Sequence, residues 1–242
     1  METISILAEN ITKNFGATQA LNGVSMNFAH GQMHGIIGPE GAGKTTFLRI
    51  LLELLKSSTG KVSYLINGEE TKFSEIRSEV AYMPQSQSLY ADLSIGEHLD
   101  FFKEMYGISD HDFAQKKDEL LQITRLKDFL DRPAGKLSGG MYKKLGLICA
   151  LLRSPKIIFL DEPTNGVDPI SRREFWELLY RLSDQNILIL LTTAYMDEAE
   201  RCGVVHLISD GKVVDEGEPK ELLAKHQAKS FDDLFLKRAQ HE

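Results

Sequence analysis

Eight consecutive residues, Gly38-Pro39-Glu40-Gly41-Ala42-Gly43-Lys44-Thr45, fit the pattern G-x-x-x-x-G-K-[ST], and Thr46 follows. Glycines at this spacing let the backbone curl until several N–H groups converge on phosphate oxygens. A helix beginning at Lys44 would aim the positive end of its dipole at the same anion. Lys44 is then expected to reach the β- and γ-phosphates of a nucleotide, and Thr45 to coordinate Mg²⁺. A second group of reactive residues ends an apolar run, Ile157-Ile158-Phe159-Leu160-Asp161-Glu162-Pro163. In open parallel sheets, ligands bind beyond the carboxyl ends of the strands. Asp161 is expected there to hold Mg²⁺ through water. Glu162 is expected beside the γ-phosphate, orienting or deprotonating an attacking water.

A third motif is Leu137-Ser138-Gly139-Gly140-Met141. Together, the three motifs in this order resemble those of ABC-type ATPases, and the resemblance covers almost the whole chain. It implies ATP and Mg²⁺ as ligands and a head-to-tail pair of domains. Each ATP is then sandwiched between one domain's phosphate loop and the other's signature. Ser138 and the backbone at Gly139-Gly140, opening a helix, would supply donors to the γ-phosphate. Gln85, in Tyr82-Met83-Pro84-Gln85, resembles the family's Q-loop glutamine, which contacts Mg²⁺ or the attacking water and leads into the helical insertion. Phe15 resembles the aromatic that stacks on adenine, with a plain core phenylalanine as the alternative. Asp168, in Asn165-Gly166-Val167-Asp168, resembles the aspartate that crosses the dimer interface.

The departures narrow the relative. After the last buried strand the family usually has a histidine, in a pattern like T-H-x-M-x-E-A-E. This chain reads Thr192-Thr193-Ala194-Tyr195-Met196-Asp197-Glu198-Ala199-Glu200, so Ala194 takes the histidine's position. Met141-Tyr142-Lys143-Lys144 stands where Gln-Arg types are frequent, and Glu40 where Asn is common. The stretches 132–141 and 193–200 resemble the first half of bacterial tandem ABC ATPases, both ABC-2-class multidrug exporters and a ribosome-associated relative. Either a slow site or a substitute polar group, Tyr195 or Thr193, is expected from Ala194. The resemblance implies a second ABC domain as partner, a heterodimer or tandem half before a homodimer, and a membrane permease. A ribosome is the alternative partner. The expected location is cytoplasmic, against the inner face of the membrane.

These residues need elements to hold them. Residues 4–11 and 21–28 alternate as half-buried strands do, with Asn22-Gly23 read as a turn signal. Residues 34–38 read as a buried strand feeding the glycine loop and an apolar helix over 45–55. Residues 95–106, 113–123 and 142–152 read as helices, punctuated by Pro133 and Gly139-Gly140. Residues 157–160 and 187–191 are continuous apolar runs, the pattern of strands buried on both faces. Between them 171–182, containing Trp176, reads as an amphipathic helix. Residues 204–209 and 212–214 suggest a hairpin around Asp210-Gly211, and helices are expected over 219–226 and 231–239.

The expected fold is therefore α/β: a P-loop NTPase (RecA-like) core with an N-terminal antiparallel β subdomain and a helical insertion carrying the ABC signature. The ATP-binding domain is expected over 4–236, its core from 1–86 and 153–218, the helical subdomain over 87–152, and a helical tail over 219–242. Segment 86–106, with Leu89, Tyr90, Phe101 and Phe102, is a candidate docking surface; ordinary packing is the alternative.

The chain has 242 residues, 42% hydrophobic and 26% charged, with net charge -7. Such a chain can bury a sizeable core, and the acidic balance disfavours non-specific nucleic-acid binding as the main job; no specific nucleic-acid partner is expected. The two cysteines, Cys149 and Cys202, build no disulfide scaffold or metal site and read as buried thiols in a reducing compartment. No secretory signal is read at the start, and no apolar run approaches the ~20 residues needed to span a bilayer.

Overall fold

The computed structural model describes residues 3–86 and 88–239. Positions 1, 2, 87 and 240–242, which the expected domain spans include, lie outside the described residues.

The chain opens with a four-stranded antiparallel sheet built from β1 (Ile4–Phe15), β2 (Thr18–Phe28), β4 (Thr59–Ile66) and β5 (Glu69–Thr71), in the order β2-β1-β4-β5. A six-stranded sheet lies behind it, ordered β10-β9-β3-β8-β7-β6. Its members are β3 (Met33–Ile37), β6 (Val80–Met83), β7 (Ile157–Asp161), β8 (Leu188–Thr193), β9 (Val204–Ser209) and β10 (Lys212–Gly217). Its pairs are parallel except the terminal β9–β10 hairpin.

The large sheet explains the unbroken apolar runs. Successive side chains on a strand point to opposite faces. On β7, Ile158 and Leu160 join one core while Ile157 and Phe159 join another. On β8, Ile189 and Leu191 face the first core and Leu188 and Leu190 the second. The second core is closed by α1 (Lys44–Leu51), through Phe47, Leu48 and Leu51, and by the antiparallel sheet's inner residues, among them Ile6, Ala8 and Phe28. The first is covered by α3 (Ile95–Tyr106), α4 (Asp110–Thr124), α5 (Gly139–Leu151) and α6 (Pro169–Ser183), with α7 (Pro219–Lys225) and α8 (Phe231–Ala239) at its margin. A short α2 (Phe73–Ile76) precedes β6.

Several local expectations are corrected. The helix expected over 45–55 stops at Leu51. Glu53 adopts a left-handed φ of 52°, and the N–H groups of Leu54 and Leu55 both bond the Arg49 carbonyl, a closure that turns the chain out of the helix. Asn22-Gly23 is not the hairpin turn; that role falls to Gly16-Ala17. Gly23, at φ 74°, lies inside β2, where the β1–β2 register slips. Strands β4, β5 and β6 were not anticipated. Their one clear signal is Asn67-Gly68, with φ values of 52° and 86°, the residue pair that a tight hairpin turn needs. The α5 helix starts at Gly139 rather than Tyr142, because the Ser138 hydroxyl accepts the Met141 N–H at 3.3 Å and caps it. Cys149 and Cys202 are both buried and free. Among the described residues, no helix is long and apolar enough to cross a membrane.

Candidate nucleotide site

The carboxyl ends of β3, β8 and β7 lie side by side, and the reactive residues collect there. β3 runs directly into the glycine loop. Gly38 is obligatory: a Cβ there would sit 2.1 Å from the Ile208 carbonyl oxygen. Gly43, at φ 99°, caps α1 without any side chain over the helix end, and a Cβ on it would lie 2.6 Å from the Ala20 oxygen. The first N–H groups of α1 therefore face a cavity of about 330 Å³ lined by Ala20, Glu40, Gly41, Gly43, Lys44, Thr45, Thr46, Gln85 and Glu162. A larger cavity, about 580 Å³, opens beside Pro155, Lys156 and Ile187, at the amino ends of β7 and β8 and so at the opposite ends of those strands from this chemistry.

β8 separates the loop strand from the acidic strand and ties them together. The Gly38 N–H donates to the Thr193 carbonyl at 3.3 Å, and the Glu162 N–H to the Thr192 carbonyl at 3.1 Å. The Thr192 hydroxyl donates to Asp161 Oδ1 at 2.7 Å, and the Thr45 hydroxyl donates to the same oxygen at 2.8 Å. Thr192 is fully buried and was missed in the sequence reading. The available signal was a pair of hydroxyl residues ending an apolar strand.

Glu162 is 6% exposed and adopts a left-handed φ of 45°, a strained setting for a non-glycine residue. Gln85 Nε2 donates to its Oε2 at 2.8 Å and Asn165 Nδ2 to the same atom at 3.0 Å, while Lys44 Nζ lies 3.3 Å from Oε1. Lys44, 4% exposed, also donates to the Gly38 and Pro39 carbonyls at 2.8 and 2.9 Å. Its ammonium thus hangs in the mouth of the loop, between the helix end and the carboxylate. Tyr82 donates to Asp161 Oδ2 at 3.5 Å; burial, and then the Asp161 charge, push its hydroxyl above the usual tyrosine range and keep it a neutral donor.

The hard oxygen set of Thr45 and Asp161, with Gln85 alongside, suits Mg²⁺. The loop N–H groups and Lys44 suit the phosphates.

The remaining expected residues lie elsewhere. Phe15 is 51% exposed at the end of the β1–β2 hairpin, beneath the Lys13 ammonium at 5.0 Å, so the core reading fails; it does not line the phosphate cavity. Ser138, Gly139 and Gly140 open α5 and do not line this chain's own cavity. Asp168 caps α6, accepting the N–H groups of Ser171 and Ile170; Ser171 chiefly, then Ile170, holds its carboxyl below the usual range.

The two loop departures, Glu40 and Ala194, line one small cavity of about 90 Å³ with Glu162, Asn165, Thr193 and Tyr195. The Thr193 hydroxyl oxygen accepts the Tyr195 N–H at 3.0 Å, and Tyr195 is linked to Glu162 through Asn165, its hydroxyl donating to Asn165 Oδ1 at 3.4 Å.

The family model described as "ABC transporter" matches residues 21–165. The chain is 42% identical over 201 residues, 83% of its length, to a protein of Escherichia coli (strain K12) named "Probable multidrug ABC transporter ATP-binding protein YbhF". It spans only 35% of that relative. It is 34% identical to "Nod factor export ATP-binding protein I" of Rhizobium sp. (strain N33), covering 97% of this chain and 78% of the other. A solved structure titled "Structure of ATP binding subunit of ABC transporter" superposes with a TM-score of 0.82 at 27% identity, covering 96% and 98% of the two chains. A bacterial ABC transporter cassette described as a dimer gives 0.77 at 25% identity, over 88% and 98%.

Proposed function

The chain belongs to the ABC transporter family as an ATP-binding cassette, and from that premise we propose that it binds MgATP and hydrolyses it as the ATP-binding component of an ABC-2-type exporter. The observation that carries this reading is the convergence of Lys44, Thr45, Asp161, Gln85 and Glu162 on one cavity at the carboxyl ends of three adjacent strands. Thr45 and Asp161 would hold Mg²⁺, which would supply neutralisation of the phosphate charge. Lys44 and the α1 N–H groups bind the β- and γ-phosphates. Gln85 and Asn165 fix Glu162 Oε2, and once Lys44 turns to the phosphates Oε1 orients the attacking water and accepts its proton.

The site is completed by a second cassette. Ser138 opens α5 away from this chain's own cavity, so its hydroxyl and the helix N-terminus serve a partner's ATP. Ala194 leaves this chain's own site without one γ-phosphate contact. A homodimer would carry that deficit twice, which favours a heterodimer or a tandem half. Hydrolysis is then passed to a membrane permease, placing the chain at the inner face of the membrane. Of the four expected docking residues Leu89 and Phe102 pack against the core, so the apolar docking surface reduces to the exposed Tyr90 and Phe101, joined by Met105.

The test measures MgATP binding by the purified chain and its Lys44→Ala variant, then the ATPase rate alone and with the co-purified permease. Binding that survives Lys44→Ala refutes the nucleotide site. Full turnover by an ATP-dependent homodimer refutes the asymmetric partnership.

A further inference from the structure

Lys143 lies one turn into α5, a helix that no part of the proposed hydrolysis has used beyond its first residues. Its Nζ donates to the backbone carbonyl of Gln85 at 3.1 Å. The neighbouring Tyr142 hydroxyl accepts the Leu89 N–H at 2.8 Å. Two successive residues of one helix therefore bond the backbone at Gln85 and at Leu89. The helix is itself anchored against α6. A Cβ on Gly140 would meet the Ser171 Cβ at 2.3 Å, and one on Gly139 the Gly166 oxygen at 3.2 Å.

The held carbonyl belongs to the residue whose side chain reaches Glu162. Gln85 Nε2 is 2.8 Å from Glu162 Oε2, a bond that a backbone shift of ~1 Å would break. An ammonium-to-carbonyl bond is charge-assisted and stronger than a neutral one. Lys143 is half-buried; burial draws its ammonium below the usual lysine range, and the Asp161 and Glu162 carboxylates oppose that.

We infer that Lys143 is a positioning residue for hydrolysis: it fixes the Gln85 backbone from the signature helix and thereby sets the orientation of Glu162. The inference rests on the proposed roles of Gln85 and Glu162. The chemistry that it serves is water attack, so its removal lowers turnover and leaves ATP binding, which depends on Lys44 and the loop N–H groups, nearly unchanged.

The experiment uses the full chain in the assembly that hydrolyses ATP, with Lys143→Met, Lys143→Arg, Gln85→Ala and the double variant Lys143→Met/Gln85→Ala. Lys143→Met is expected to lower kcat about tenfold with KM and equilibrium MgATP affinity within about twofold. Lys143→Arg, which keeps a charged donor, restores most of the rate. The double variant is no slower than Gln85→Ala alone, because the lysine acts through the glutamine. Lys143→Gln replaces Lys143→Met if the latter unfolds early in a thermal melt. An unchanged kcat, or losses that multiply in the double variant, overturns the inference. Glu162→Gln separates the premise: if turnover survives that change, the hydrolytic reading of the site fails rather than the role of Lys143.

Discussion

Restoring an imidazole at Ala194 is the sharpest perturbation that the site offers. Ala194 borders the 90 Å³ cavity against Glu162, and its methyl offers no donor there. Thr193 bonds the Tyr195 N–H, and Tyr195 bonds Asn165. An added donor aimed at the γ-phosphate in a water-poor site contributes ~3 kcal/mol to the transition state, or about a hundredfold in rate. Glu40 lines the same cavity and alters that figure. A carboxylate beside an imidazole competes for its N–H and favours its charged form. Ala194→His alone therefore gains only part of the hundredfold, and Ala194→His/Glu40→Asn gains more. The assay is the steady-state ATPase rate at saturating MgATP in the competent dimer, with the Glu40→Asn single variant as reference. If neither histidine variant exceeds its reference by more than about twofold, position 194 does not limit turnover and the slow-site reasoning is wrong.

Three further outcomes test the fold that holds the site. His34 is 1% exposed, with Nδ1 3.1 Å from His206, which in turn bonds Glu216; burial first, then His206, lower its pKa from 6.5 to about 4. It folds neutral, so stability is full above about pH 6.5 and falls as the pH drops towards 4, by about 3 kcal/mol from this residue. Denaturant melts across that range should show the acid limb flattened in His34→Asn. Gly140→Ala drives a methyl into Ser171 and should cost about 1–3 kcal/mol in thermal unfolding, largely recovered by Ser171→Gly. Glu198, fully buried, accepts the Thr164 hydroxyl at 2.6 Å and Trp176 Nε1 at 3.1 Å, with Arg172 at 3.9 Å. Glu198→Ala leaves those donors buried without an acceptor and should cost about 3–5 kcal/mol in urea unfolding, Glu198→Gln less.

The phosphate loop, the Asp161-Glu162 strand end and the Ser138 signature are legible in the amino-acid order because their chemistry is local. A few consecutive residues must curl, carry charge or open a helix, and residue type at fixed spacing already states that. Burial on both faces is equally local, and the runs before Asp161 and before Thr192 display it. Neighbour relations are not local. That β8 lies between β3 and β7, so that Thr192 shares Asp161 with Thr45 across 116 residues of chain, follows from strand order, and periodicity carries no record of which strand pairs with which. The same holds for Lys143 on the Gln85 carbonyl, for the left-handed backbone at Glu162, and for Glu40 and Ala194 meeting in one cavity. Each depends on where packing places two distant segments. Packing is set by the sum of many weak contacts, whereas the motifs are set by a few strong ones.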